Sequence, residues 1–369
     1  MKVWKKIVPI LIAVAAFFLI WMIFSLKTAL GILIAILVFG VMIFLHEFGH
    51  YIVARLCKVK VLEFAVGMGP VIFTRKSEKT GIAYSLRALP IGGFTAMQGE
   101  DGEDDDPRAL VNRPRWQRFL VLFAGSFMNL LTGVIAMFIY LSITAQVGTN
   151  VVSKWRDDPV SKQYGLEIGD AIVAVDGTRM TDFSYIANVI ALDGADGVDL
   201  TVVRDGKEIE LKNVCFPTAE ADGTTVAYID FFFEAVKPDF PTLVGQSFTQ
   251  SFSTIRLVYK TLAELITGKF GLNAVSGPVG TVSVIASVAT QGFSTVLYLF
   301  VIISINLGVM NLLPFPALDG GRILFLLIET VTRKKINPKV ETYVNLAGMI
   351  LLLGFMALIT VFDVMKLIR

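Results

Sequence analysis

The sequence predicts a multi-pass α-helical membrane protein of about five transmembrane helices, interrupted by two β-rich segments. Of its 369 residues 54% are hydrophobic and only 17% charged, whereas soluble domains sit near roughly 45–50% and about 25%. Mean hydropathy is +0.68. The apolar residues are also bunched into runs long enough to cross a bilayer, which needs about 20 residues per helix. A net charge of +2, with no basic run interleaved with aromatics, argues against nucleic acid as a partner. Two cysteines, Cys57 and Cys215, exclude a disulfide scaffold and a Cys-rich metal site.

The first run, 7–24 (IVPILIAVAAFFLIWMIF), is flanked by Lys2, Lys5, Lys6 and Lys27. It is long for a signal-peptide core and no clear cleavage site follows, so a retained helix is favoured over a cleaved one. The second run starts near Ala29 and continues through HEFGH to about Val53. Residues 55–118 change character to short glycine-broken pieces such as VKVLEFAVGMGP and IGGFTAM, which read as strands or hairpins. EDGEDDD (100–106) reads as a solvated loop. The third run covers 119–146, and 150–235 is of soluble composition with the turn signals VDG, RDG and ADG. Residues 242–293 are mixed, with interfacial amphipathic pieces such as SFSTIRLVYKTLAELI. A fourth run, 295–313, breaks at NLLPFPALDGGR, and a fifth covers about 343–362.

Charge at the helix ends orients these spans. MKVWKK places the N-terminus in the cytoplasm, so the second helix brings HEFGH toward the cytoplasmic side. Residues 54–118 and the RKKINPK cluster (333–339) then lie inside, and 150–235 lies outside. The two cysteines fall on opposite sides and should not pair.

HEFGH fits H-E-x-x-H. Positions i and i+4 share a helix face, so His46 and His50 present imidazoles to one metal, with Glu47 beside them as general base for a water. Zinc suits this chemistry, since it lowers the pKa of water to roughly 7 and polarises a carbonyl. These are the only two histidines of the chain. Random placement would give this spacing on the order of once in two hundred. Ionisable groups inside a span are also costly without a purpose. The competing reading is two structural histidines bonded between helices.

A third protein ligand is needed, and it must be a carboxylate. Asp363 and Glu264 fall on the outer side by this topology. Asp319 arrives on the cytoplasmic side in a PFPALDGG segment that breaks the helix, which is tolerated at membrane depth where it lines a protein cavity. Glu63 and Glu329 remain topologically open, though neither has such a break.

Taken together, HEFGH and PFPALDGG resemble the site-2 protease family of intramembrane zinc metalloproteases. The likeness is closest to its bacterial PDZ-containing branch, that of the regulator-of-sigma-E proteases. VKVLEFAVGMGP, LRALPIGGFTAMQGE, AGSFMN, SGPVG and NLGVMNLLPFPALDGGR carry the likeness over most of the chain. It implies one zinc held by His46, His50 and Asp319, Glu47 as catalytic base, and Asn129, Asn306 and Asn311 as holders of substrate backbone. Helix–helix hydrogen bonding is the alternative for each asparagine. Cys57 stands where the family usually has glycine and Ser126 where it usually has proline. Neither is expected to touch a ligand.

YGLEIGDAIVAVDGTRM is similar to the PDZ signature, with Gly165, Gly169 and Gly177 at turns and Ile172, Val173 and Val175 in strand and core. The implied architecture adds one extracytoplasmic PDZ domain and a membrane-associated β-hairpin region to the helices. Its boundaries are 1–27 for the extra helix, 28–54 for the HEFGH helix and 55–118 for the hairpin region with the acidic loop. The next helix takes 119–147, the PDZ domain 148–236 and the following interfacial segment 237–294. The PALDGG helix takes 295–328, and the basic loop with the last helix takes 329–369.

The implied reaction is hydrolysis of peptide bonds in or beside the spans of single-pass or small transmembrane proteins, such as anti-sigma factors or remnant signal peptides. The partners are those substrates, the lipid bilayer of the cell membrane and peptide termini at the PDZ domain, unless that domain only obstructs the site. Two rivals are a catalytically inactive PDZ membrane scaffold and a metal transporter. The intact pentad counts against the first, and the absence of a sequence repeat against the second.

Overall fold

The computed structural model describes residues 26–368, apart from 101, 103, 181, 222–223, 269–274, 290 and 335. The predicted helix over 7–24 lies outside the described residues. The chain divides into two compact units, one formed by the segments up to Gly133 and from Ser276 onward, the other by Val134–Val275.

In the first unit, α1 (Leu26–Leu56) is a 31-residue helix apolar on all faces, as lipid-facing helices are. A hairpin of two long strands follows, β1 (Val61–Lys76) and β2 (Ala83–Met97). It is more than a simple hairpin. Phe64, Ala65 and Val66 pair with Thr95, Phe94 and Gly93 on one side and with Tyr84, Ser85 and Leu86 on the other. The strands therefore bend back into a small sheet of four rows. Its bends fall at Gly67 and Gly69, whose φ angles of 85° and 81° suit glycine. Met68, Val71, Phe73, Leu86 and Leu89 leave its tip apolar and exposed.

Then come α2 (Arg115–Ile143), whose last residues from Val134 belong to the second unit, and, after that unit, the short α5 (Pro278–Val288), α6 (Phe293–Asn311), α7 (Asp319–Thr332) and α8 (Pro338–Ile368). Among the described residues four helices are long and apolar enough to cross a membrane: Thr28–Leu56, Arg115–Ile143, Phe293–Asn311 and Lys339–Lys366. Close backbone approaches draw them together. A Cβ on Gly49 would lie 2.4 Å from the Ala124 carbonyl, and one on Gly133 would lie 2.6 Å from the Ile305 side chain. Without a hydrophobic drive between helices in lipid, such small-residue contacts are what hold a bundle.

The acidic loop is not simply solvated. Asp106 pairs with Lys60 at 3.1 Å, Gln98 donates to Asp104 at 3.0 Å, and Glu100 pairs with Arg322. Cys57 is buried among Ala54, Val59, Val61, Met97 and Val121, and Cys215 is a free thiol in the other unit.

The second unit is built on a sheet in the order β10–β3–β4–β6–β7, from β3 (Val147–Trp155), β4 (Ala171–Val175), β6 (Val198–Arg204), β7 (Lys207–Val214) and β10 (Phe231–Val236). The two-residue β5 (Thr178–Arg179) pairs with β4, and β8 (Thr218–Ala221) pairs with β9 (Thr224–Ala227) as a separate hairpin. Helix α3 (Phe183–Asp193) buries Tyr185, Ile186, Val189 and Ile190 against Ile172, Leu200, Val202 and Phe231 of the sheet. Gly165, Gly169 and Gly177 all have positive φ (90°, 95° and 71°), as their places at turns require. The expected mixed segment becomes α4 (Phe240–Ile266), one 27-residue helix capped by Asp239. It belongs to the same unit as the sheet, and its Lys260 pairs with Asp193 of α3 at 2.7 Å.

Candidate metal centre

The pentad lies in the last three turns of α1, where the 3.6-residue repeat stacks His46 over His50. Their Nε2 atoms are 3.2 Å apart. Asp319, the first residue of α7, brings Oδ2 to 3.2 Å from His46 Nε2 and 3.4 Å from His50 Nε2. No other group of three His, Cys, Asp or Glu side chains converges in this way among the described residues.

Asp319 is delivered by a fold-back at 312–318. Cβ atoms on Gly320 and Gly321 would lie 2.2 Å and 2.3 Å from the carbonyls of Leu313 and Phe315, so only glycine lets the turn press onto the start of α7. The left-handed position of that turn is Ala317 (φ 75°), not a glycine. Its amide donates to the Asn345 side chain at 3.2 Å.

The donor set has the chemistry of a cation site. His50 Nδ1 lies 2.7 Å from the Val121 carbonyl, which only accepts, so Nδ1 carries the proton and Nε2 presents a lone pair. The His50 lone pair, His46 Nε2 and a carboxylate oxygen therefore face one another. Their separations match the roughly 3.3 Å expected between donors about 2.0–2.1 Å from a tetrahedral zinc. Space is reserved as well: a Cβ on Gly125 would fall 2.2 Å from His50 Nε2 and 2.7 Å from His46 Nε2, among the donors. His46 and His50 are 8% and 7% exposed, which limits the water that competes for an ion.

Glu47 is half-buried. Its backbone carbonyl accepts from Thr95 Oγ1 at 2.9 Å, and a Cβ on Gly93 would lie 3.5 Å from its Cγ. The outer row of the hairpin sheet, 93–97, thus runs beside the expected base.

The other carboxylates weighed from the sequence are engaged elsewhere. Glu63 pairs with Arg87 at 2.9 Å, Glu329 with Arg118 at 3.0 Å, and Glu264 with Lys260 at 2.6 Å. Asp363 accepts from the backbone N–H of Gly277 (3.2 Å) and Gly280 (2.8 Å), capping α5.

One expectation needs correction. Ser126 does touch an expected ligand: its hydroxyl, fully buried, donates to Asp319 Oδ2 over 3.4 Å. Asn129, expected to hold substrate backbone, has its amide 3.2 Å from His46 Nδ1 and is fully buried. Asn306 is exposed on α6 and Asn311 is the last residue of that helix; neither bonds to the three donors. Sequence reasoning also passed over Gly49 and Gly125, although both sit inside quoted motifs. A glycine's role as empty space shows only once its neighbour across the bundle is known.

The chain was also compared with known proteins. The sequence pattern described as peptidase family M50 matches residues 34–355. A candidate zinc metalloprotease of Fusobacterium nucleatum is 36% identical, over 91% of this chain and 98% of the relative. Zinc metalloprotease RasP of Bacillus licheniformis is 28% identical, over 90% and 98%. The regulator of sigma-W protease RasP of Bacillus subtilis is 26% identical, over 90% and 97%.

Proposed function

Because the chain belongs to peptidase family M50, the site-2 protease family of zinc metalloproteases, we propose that it hydrolyses peptide bonds within or next to the membrane spans of other proteins. The observation that carries this reading is the convergence of His46, His50 and Asp319 with Glu47 adjacent. The three would hold one zinc. When bound, zinc supplies a Lewis acid that acidifies water and polarises the scissile carbonyl.

The chain's own residues do the rest. Glu47 takes the proton of the attacking water and returns it to the leaving amine nitrogen. A substrate helix must unwind first, exposing N–H and C=O groups that need partners. The row 93–97 beside Glu47 is the outermost of the hairpin sheet, paired with 61–66 alone, and an extended segment can add beside it as a further strand. The exposed apolar tip of the hairpin favours its association with the bilayer. Asn306 and Asn311 remain candidates for contact with substrate.

The second unit is read as a PDZ domain on the outer face of the membrane. Its six-stranded sheet, α3 and the three glycine turns support that reading, and the basic residues around 54–60, 113–118 and 333–339 support a cytoplasmic-side active site. The Bacillus subtilis relative is named a regulator of sigma-W protease, which favours anti-sigma factors or other small membrane regulators as substrates.

Glu47→Gln tests the reaction. The purified variant keeps its zinc and loses at least about 100-fold in cleavage of a transmembrane substrate. Wild-type cleavage by this variant removes Glu47 as base.

A further inference from the structure

α2 passes behind the donor set with three groups aimed at it. Val121, Gly125 and Asn129 are spaced by four, so they form one stripe along the helix. The Val121 carbonyl accepts from His50 Nδ1 at 2.7 Å, Gly125 leaves the space among the donors, and the Asn129 amide reaches His46 Nδ1 at 3.2 Å.

The hydrogen bonding at Asn129 decides its role. With Nδ2 toward His46, Asn129 Oδ1 is buried without a partner, which is costly for a desolvated acceptor. His46 Nε2 faces Asp319 and His50, so an imidazole that gives this nitrogen to a metal carries its proton on Nδ1. The partner of Nδ1–H must accept, and only the amide oxygen of Asn129 accepts. A half-turn of the amide exchanges the two atoms, pairs Oδ1 with Nδ1–H and turns Nδ2 to the place that Oδ1 leaves. Asn129 is fully buried, and its backbone carbonyl accepts from the Ser304 hydroxyl at 2.9 Å.

We propose that Asn129 is a positioning residue that fixes the tautomer and ring orientation of His46 through its amide oxygen, doing for His46 what the Val121 carbonyl does for His50. α2 then serves both imidazole ligands from one stripe. This rests on the zinc reading above, and outer-shell partners of this kind are worth about 10–100-fold in metal affinity.

The chain has only two histidines, so nitrogen-15 labelling of histidine reports each ring separately in the full-length protein in detergent. In the zinc-loaded wild type, both rings should show a protonated Nδ1 and a metal-bound Nε2. Asn129→Leu, close in shape but without an acceptor, should shift the His46 Nδ1–H signal and leave that of His50 in place. Its zinc affinity, from competition with a chelator, should fall about 10–100-fold. Asn129→Asp keeps an acceptor and should return both the signal and the affinity to within a few-fold of wild type. An Asn129→Leu protein with wild-type affinity and an unmoved His46 signal overturns the proposal. So does a loss in Asn129→Leu that Asn129→Asp fails to rescue, or one that moves both rings together. A wild type that binds no zinc overturns the metal centre first, and is distinguished by needing no variant at all.

Discussion

Asp170 in the sheet unit and Asp319 in the helical unit are both withdrawn from solvent, and their surroundings treat them in opposite ways. Asp170 is fully buried and receives Arg204 through Nε at 2.7 Å and Nη2 at 2.8 Å, with the Glu167 amide as a third donor at 2.9 Å. Its charge is settled inside the fold. Asp230, nearly as buried, accepts from the Ser161 amide and hydroxyl at 2.8 and 2.7 Å. Asp319 instead lies 3.2 and 3.4 Å from the Nε2 atoms of two imidazoles, and the more distant hydroxyl of Ser126 donates to it as well. Asp363, in the same unit, shows that the helical region can also satisfy a carboxylate with backbone N–H groups. The lesson is that burial by itself does not mark a functional carboxylate. A site built for an ion is a carboxylate whose close neighbours are themselves metal-donor groups.

The largest way to break this contrast is Asp319→Ala. Two imidazoles then remain, and zinc content by elemental analysis should fall by more than the roughly 100-fold in affinity that an outer-shell partner contributes. Cleavage should vanish with it. Unchanged zinc stoichiometry would remove Asp319 from the donor set. The reciprocal experiment is Arg204→Met. It leaves Asp170 buried and unpaired and should destabilise the sheet unit by roughly 3 kcal/mol, read as faster proteolysis within 150–235 of the full chain. Zinc content should stay at the wild-type value. A parallel loss of zinc would mean the two carboxylates are not independent.

The smallest effect is expected at Asp182, the N-cap of α3, whose carboxyl burial pushes its pKa above the ordinary value. Between the unfolded pKa and this raised one, the native state binds more protons than the unfolded state. Stability therefore falls as pH rises through that window, and the loss persists above it. Asp182→Asn keeps an oxygen for the cap without the charge. It should be slightly more stable than wild type at neutral pH, the difference closing as pH drops below the ordinary carboxylate range. A variant that is less stable at pH 7 would show that the ionised cap is worth more than its burial costs.

The parts legible in the sequence are those governed by local geometry. The i, i+4 spacing of His46 and His50 places two imidazoles on one helix face whatever surrounds them. Hydropathy over about 20 residues marks the spans, and positive φ at Gly165, Gly169 and Gly177 follows from turn chemistry. Topology narrowed the carboxylates to a few, and the PFPALDGG break pointed to Asp319. The hairpin was recognisable as strand, but its doubling into four rows depends on pairings between segments such as Phe64 with both Thr95 and Tyr84.

What only the tertiary structure decided lies across the bundle. Ser126 reaches Asp319 from 193 residues away, Val121 reaches His50 from 71, and Asn129 reaches His46 from 83. A serine or asparagine in an apolar helix looks the same in sequence whether it bonds a neighbouring helix, a substrate or a ligand. The reason is physical: a helix fixes which of its residues share a face, but packing of small residues such as Gly49 against Ala124 chooses what that face meets. By itself, then, the sequence determined two candidate ligands, a candidate base and the solvent around them. The packing of α2 determined how they are held.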